Sequence, residues 1–229
     1  MKAPSMTALG TRNSSDKVEH GYTALYDEMF TPYRYSDMQI LEIGFARGRG
    51  TRTLAEYFNR SMVYCFDIDP DWQHYSNLSD ELQSRIRLFQ GDQGDANSIH
   101  EVLRKIANDP DAHALSPRCR PKGFDIIIDD GSHVPAHQRT SFKMLWPELN
   151  SGGVYIIEDF HPYYENNSHH TVSWLFEEVH KINRYGDKRA WVQDYKTKAF
   201  VEAGAPHQPL FTDLVSITFS YNQALIRKA

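Results

Sequence analysis

Four side chains in this sequence could do chemistry together: Asp130, His133, Glu158 and Asp159. Each follows a run too apolar to be a half-wet strand. The first run, Phe124 to Asp129, reads Phe-Asp-Ile-Ile-Ile-Asp and opens onto Asp130-Gly131-Ser132-His133. The second, Gly152 to Ile157, opens onto Glu158-Asp159. Three consecutive isoleucines suit a strand covered on both faces, as in the middle of a parallel sheet. Open α/β sheets bind ligands just outside the carboxyl ends of their strands. Acids gathered at adjacent strand ends repel one another, and a cation relieves that repulsion. Asp130, Glu158 and Asp159 offer oxygen only, which favours Mg²⁺ over zinc, whose sites more often draw on His or Cys. His133 stands three residues past Asp130, where it could take a proton. The chemistry implied is activation of an alcohol, a poor nucleophile at neutral pH, by a Lewis acid and a base.

Taken one at a time, these residues have plainer readings. A lone Asp at a strand end is usually a turn former or a helix cap. Ser132 and His137 are read that way, and it is the convergence of four residues that argues for a site. His20, His161, His169 and His170 are further candidates. His161 follows the acid pair and could line an acceptor pocket, whereas His169-His170 reads as a loop or helix start.

A second constellation lies earlier in the chain. Glu42-Ile43-Gly44 closes an apolar run and opens the turn Phe45-Ala46-Arg47-Gly48-Arg49-Gly50. Small residues there let a ligand approach the backbone. Asp67 ends the next apolar run, about 20 residues on, where an acid can accept from both hydroxyls of a ribose. Asp92-Gln93 ends the third and could read an adenine. Arg47, Arg49 and Arg52 could hold a carboxylate of the ligand, or equally be solvated turn residues. Together they describe an adenosine pocket whose expected contacts are Tyr22, Glu42, Gly44, Arg49, Thr51, Asp67, Ile68, Asp92, Gln93 and Asp129. A glycine-rich turn is weak by itself. A short-chain dehydrogenase would need Tyr-x-x-x-Lys, and no tyrosine here has a lysine four residues later. S-adenosylmethionine carries no pyrophosphate and needs no strict dinucleotide fingerprint.

The elements that must position these residues follow from periodicity. Strands are predicted at Met38 to Phe45, Met62 to Ile68, Ile86 to Gln90, Phe124 to Asp129 and Gly152 to Ile157. Helical faces are predicted from Tyr22, Leu25, Tyr26 and Met29; from Leu54, Tyr57 and Phe58; and from Ile99, Val102, Leu103 and Ile106. Two more come from Phe142, Leu145, Trp146 and Leu149, and from Val172, Leu175, Phe176 and Val179. Leu214 to Ser220 and Ala224 to Arg227 read as a closing β-pair. Asp109 to Gly123, with three prolines, reads as a surface loop. Strand–helix units followed by a β-pair predict a Rossmann-like, mostly parallel seven-stranded sheet, with a C-terminal antiparallel hairpin and helices on both faces. That is the outline of the class I methyltransferase fold.

Composition bounds the rest. The chain has 229 residues, 40% hydrophobic and 24% charged, as expected of one globular domain over 16–229. Met1 to Ser15, rich in Ser, Thr, Gly and Pro, is expected to be flexible. No apolar run approaches the roughly 18 residues of a membrane span, and the N-terminus lacks a signal-peptide core. Two cysteines, Cys65 and Cys119, give no disulfide framework. The expectation is a cytoplasmic protein. A net charge of −5 argues against a nucleic-acid backbone as partner.

At this point the sequence resembles the metal-dependent sugar O-methyltransferases of macrolide biosynthesis, the macrocin and mycinamicin type. The shared features are Asp16-Lys17 with His20 and Tyr22-Thr23, Leu41 to Gly44, Gly91-Asp92-Gln93, Asp125 to His133, Gly152 to Asp159, and Ile226-Arg227-Lys228. The resemblance implies Mg²⁺ ligands at Asp130, Glu158 and Asp159, a general base at His133 with Asp130 beside it in the catalytic group, and S-adenosylmethionine against the Glu42–Gly44 turn, Asp67 and Asp92-Gln93. With the aromatic face of residues 22–30, it also implies a homodimer acting on a small-molecule, secondary-metabolite acceptor. The turn after the first strand is shorter and poorer in glycine than that family's, and a large N-terminal domain is not expected before it. The acceptor therefore stays open between a sugar hydroxyl, a phenol and a carboxylic acid. A carboxylate is already ionised and would need orientation more than deprotonation, without metal. A non-catalytic adenosine-ligand-binding protein is the alternative from another class.

Overall fold

The computed structural model describes residues 3–109, 123–159, 173–178, 191–193, 200–202, 211 and 213–229. His161, His169, His170, Cys119, Val172 and Val179 lie outside them. Two helices come first, α1 (Met6–Asn13) and α2 (Tyr22–Phe30). There follow β1 (Gln39–Ile43), α3 (Arg49–Tyr57), β2 (Met62–Asp67), α4 (Trp72–Ser76), α5 (Asp80–Arg85) and β3 (Ile86–Gln90). Then come α6 (Ala96–Ala107), β4 (Phe124–Asp129), α7 (Pro135–Leu145) and β5 (Leu149–Glu158). A short helix, α8, covers 173–178. A separate two-stranded ribbon, β6 (Trp191–Gln193) and β7 (Phe200–Glu202), precedes the final pair β8 (Leu214–Ser220) and β9 (Gln223–Lys228).

Among the described residues the main sheet has seven strands in the order β3-β2-β1-β4-β5-β9-β8. β1 to β5 pair in parallel, and β9 runs against both β5 and β8. The apolar runs are explained by burial on both faces. Ile126 and Ile128 join Ile40, Val63 and Ile156 in a core roofed by α1, α2 and α3. Ile127 points the other way, into a core with Leu41, Tyr64, Tyr155, α6 and α7. Side chains alternate between the two faces, so a strand with both faces covered must be apolar throughout. The predicted class of fold and the closing β-pair are what the structure shows.

Four local expectations are corrected. Residues 6–13 are not loose. Ser5 caps α1, Asp27 accepts from the backbone amides of Met6 (2.6 Å) and Thr7 (3.1 Å), and Met6 and Leu9 are buried. The small polar composition hid a single apolar pair at helical spacing. Leu149 is not on the helical face that contains Phe142 and Leu145. Pro147 sits in a 3-10 turn, Trp146–Glu148, and Leu149 opens β5. Phe176, expected inward, is exposed and stacks on Phe219 with ring centroids 5.0 Å apart. The aromatic face of α2 is used up in the core: Tyr22, Tyr26 and Phe30 are all buried, so that face is not free to receive a second copy.

Candidate active site

The carboxyl ends of β1 to β5 converge on a cleft of about 570 Å³. One wall includes Glu42, Gly44, Arg49, Asp67, Ile68 and Asp92, where the donor was expected, and the other Asp130, His133 and Asp159. The two walls meet at Gly44, where φ is +94° and any side chain would run into the backbone carbonyl of Asp130. Only glycine fits there, because the turns after β1 and β4 approach at backbone distance. Asp67 shapes the first wall. One carboxylate oxygen accepts from the amides of Phe45 (2.7 Å) and Ala46 (3.1 Å), which ties the end of β2 to the turn after β1.

The reacting side is more crowded. Ligand atoms of Asp130, His133 and Asp159 all lie within 4.8 Å of one another. His133 Nε2 is 3.8 Å from Asp159 Oδ2. Both residues hold φ at +57°, a left-handed conformation that Asp and His tolerate better than most, and their side chains turn back into the cleft from it. Asp159 Oδ1 accepts from the Tyr22 hydroxyl at 2.5 Å and from Asn222 Nδ2 at 2.9 Å. Burial, then the Asp159 carboxylate, push the Tyr22 hydroxyl up, so it stays a donor. His20 Nδ1 lies 3.7 Å from the same oxygen.

Residues 41–160 match the family model described as a methyltransferase domain. The chain belongs to that family. The methyltransferase domain has relatives across most of its length. The 8-demethyl-8-alpha-L-rhamnosyl tetracenomycin-C 2'-O-methyltransferase of Streptomyces olivaceus is 30% identical over 241 residues, covering 98% of this chain and 55% of the relative. The mycinamicin VI 2''-O-methyltransferase of Micromonospora griseorubida is 36% identical over 167 residues, covering 69% of this chain and 36% of the relative. Among solved structures, MycE methyltransferase from the mycinamycin biosynthetic pathway, in complex with Mg and SAH, superposes with a TM-score of 0.72 at 29% identity. That match covers 100% of this chain and 54% of MycE. The fold is therefore the class I methyltransferase fold, and the chain spans about half the length of MycE and of the first relative.

Within the methyltransferase domain, several residues expected at the donor lie elsewhere. Asp129 is fully buried beneath the cleft and accepts from Gln93 Nε2 (2.5 Å), Ser141 Oγ (2.5 Å) and Tyr155 (3.3 Å). Burial lifts its carboxyl to about 7 against those three donors. Gln93 is buried with its amide already engaged, donating to Asp129 and accepting from the Ser132 amide at 2.8 Å. It pins the turn after β4 while lining the cleft beside Asp92. Thr51 is buried and donates to Glu42 at 2.5 Å. Tyr22 turns to Asp159. Asp129, Thr51 and Tyr22 support the floor and the wall at the ends of β4 and β5 and do not line the cleft, whereas Gln93 does. Arg49 does line it, and donates to the Ser14 carbonyl at 3.2 Å.

Glu158, expected among the metal ligands, sits deeper than the other two acids. It is fully buried, and both its oxygens are taken: Oε2 by Lys17 Nζ at 2.5 Å, Oε1 by the Tyr26 hydroxyl. It stands outside the Asp130–His133–Asp159 cluster. The cation that meets Glu158 in this structure is the chain's own ammonium. Lys17, named above only as a shared feature, had no role assigned because its site is set by contacts 113 and 141 residues away. The available signal was a lysine in a Ser/Thr-rich stretch just before the aromatic helix. Burial alone would drive Lys17 down, but Asp130, Glu158 and Glu42 together hold its ammonium well above the usual lysine range. Burial also raises the Glu42 carboxyl to about 6, against the pull of Lys17 and Thr51.

Proposed function

We propose that this chain transfers a methyl group from S-adenosylmethionine to a hydroxyl oxygen of a glycosylated small-molecule acceptor, with His133 as general base and Mg²⁺ held beside it. The observation that carries the reading is one cleft with two unlike walls. A backbone-lined wall from the ends of β1 to β3 faces a carboxylate–imidazole wall from the ends of β4 and β5. The residues present suit both groups. Gly44 leaves an opening that a side chain would close, next to acids at the ends of β2 and β3 where an adenosine's hydroxyls and amine could be met. Asp130 and Asp159 supply the hard oxygen donors that Mg²⁺ prefers, clustered within 4.8 Å with His133. The activities of the relatives, O-methylation of rhamnosyl tetracenomycin C and of mycinamicin VI, point to the acceptor class. MycE was solved with Mg and SAH.

The residues then divide the work. His133 takes the hydroxyl proton as the acceptor oxygen forms its bond to the methyl carbon. The carbon–sulfur bond breaks in the same step, and its electron pair stays on sulfur, which becomes the neutral thioether of S-adenosylhomocysteine. Asp159, held by Tyr22 and Asn222, keeps His133 facing the cleft and stabilises the imidazolium that results. Bound Mg²⁺ would acidify the acceptor hydroxyl and fix its line of approach. Gly44 and Asp67 set where the donor lies. The test is methyl transfer from labelled donor to a panel of glycosides, phenols and carboxylic acids, with and without chelator. The expected result is turnover on a glycoside hydroxyl that falls on chelation and returns with Mg²⁺. Turnover restricted to carboxylates and indifferent to chelator would overturn the reading.

A further inference from the structure

The geometry points to Lys17 as a built-in competitor for the metal: its ammonium occupies Asp130 and Glu158, and a divalent cation must displace it to use them. This rests on the metal site proposed above. Lys17 is only 3% exposed, yet it lies among three carboxylates. Its Nζ is 2.5 Å from Asp130 Oδ2, 2.5 Å from Glu158 Oε2 and 3.4 Å from Glu42 Oε1. Asp130 belongs to both groups, since it also clusters with His133 and Asp159. One carboxylate thus serves an internal monocation and the candidate divalent site. Like charges brought together out of water repel strongly. A divalent ion on Asp130 and the ammonium at hydrogen-bond distance from the same group are therefore alternatives.

The position of Lys17 is built in. Residues 14–21 form a compact turn between α1 and α2, opened by Ser14 in the left-handed conformation at φ +54°, with Tyr22 N donating to the Lys17 carbonyl at 3.0 Å. At Gly50 a side chain would come within 2.8 Å of Lys17 Cε and 2.9 Å of Glu42 Oε1. The start of α3 is thus hollowed to admit the lysine stem beside Glu42. The same turn carries His20 to within 3.7 Å of Asp159. Exchange of ammonium for metal would be felt on a segment that also touches the second metal-ligand candidate. In this arrangement Glu158 becomes available to a metal only when Lys17 leaves it.

Calorimetric titration of Mg²⁺ into the full chain without donor tests this, on wild type, Lys17→Gln and Asp159→Asn. Removing the internal competitor should tighten Mg²⁺ binding by at least about tenfold in Lys17→Gln, while Asp159→Asn weakens it. Lys17→Gln leaves three carboxylates, two of them buried, without their cation and could fail to fold in the absence of metal. Thermal melting with and without Mg²⁺ covers that case: the metal-induced rise in Tm should be larger for Lys17→Gln than for wild type. Wild-type binding that Asp159→Asn removes, but that Lys17→Gln leaves equal or weaker with no larger rise in Tm, overturns the competition and spares the metal site. Absence of any Asp159-dependent binding in wild type overturns both.

Discussion

The two walls of the cleft are built by opposite means. The donor wall is made of turns and backbone. Gly44, Asp67 and Asp92 each sit within a few residues of the strand that presents them, and Asp67 is tied to the turn after β1 by main-chain amides. The reacting wall is made of buried side chains brought from far away. Asp130 and Glu158 meet Lys17, Glu158 meets Tyr26, and Asp159 meets Tyr22 and Asn222. The difference teaches that a binding surface can be specified locally, whereas a cluster of acids cannot. Each carboxylate taken out of water needs a partner, and partners in sufficient number come only from other parts of the chain.

The largest effect expected on this division is at His133. His133→Ala should lower turnover by about 10²–10⁴, the weight of a positioned base, with donor affinity nearly unchanged. Turnover with labelled donor and donor binding by calorimetry give the two halves of that statement. A matching loss of donor affinity would show that the walls are not separate.

Asp67→Ala should do the reverse. Donor affinity should fall by about 1.5–3 kcal/mol, the scale of hydrogen bonds to a charged group, with a much smaller change in turnover at saturating donor. Because Asp67 also holds the Phe45 and Ala46 amides, Asp67→Asn separates the two roles: it keeps an acceptor for the turn and removes the charge. Unchanged donor binding in both variants would remove Asp67 from the donor site.

The last effect expected is on stability, at the floor the walls share. Burial raises the Asp129 carboxyl to about 7 in the folded chain, above its value of about 3.9 when unfolded. The folded chain therefore keeps this proton after the unfolded chain has lost it. The contribution is fully present below about pH 4 and is lost as pH rises to about 7, with a slope of at most about 1.4 kcal/mol per pH unit. Asp129→Asn should flatten stability across that window, since the hydroxyls of Ser141 and Tyr155 can rotate to accept from an amide. Denaturant unfolding at several pH values between 4 and 8 measures it. An unaltered slope would mean that Asp129 does not titrate there.

Much of the fold was legible because its cause is local. The all-apolar runs at 62–66 and 126–128 demand burial on both faces, and a parallel sheet between two helical layers provides it. The strand ends then place Asp130, His133 and Asp159 on one edge together with Gly44 and Asp67. Residues 6–13 were not legible, because Met6 and Leu9 are too few to outweigh a polar composition until Asp27 is seen to hold the amides above them. Gln93 and Asp129 looked like ligand contacts because sequence position puts both at strand ends. Only packing shows that they face each other.

The sequence by itself determined which strand ends carry acids and that those acids need positive charge. Sequence spacing encodes strand, turn and burial, and electrostatics does the rest. The tertiary structure alone decided where the charge comes from. Lys17 reaches Asp130 and Glu158 across 113 and 141 residues, and Tyr22 reaches Asp159 across 137. No local pattern encodes such a meeting, because it depends on how α2 lies over the sheet. The same packing decided that Glu158 is held by an ammonium and that Asp159 turns to His133.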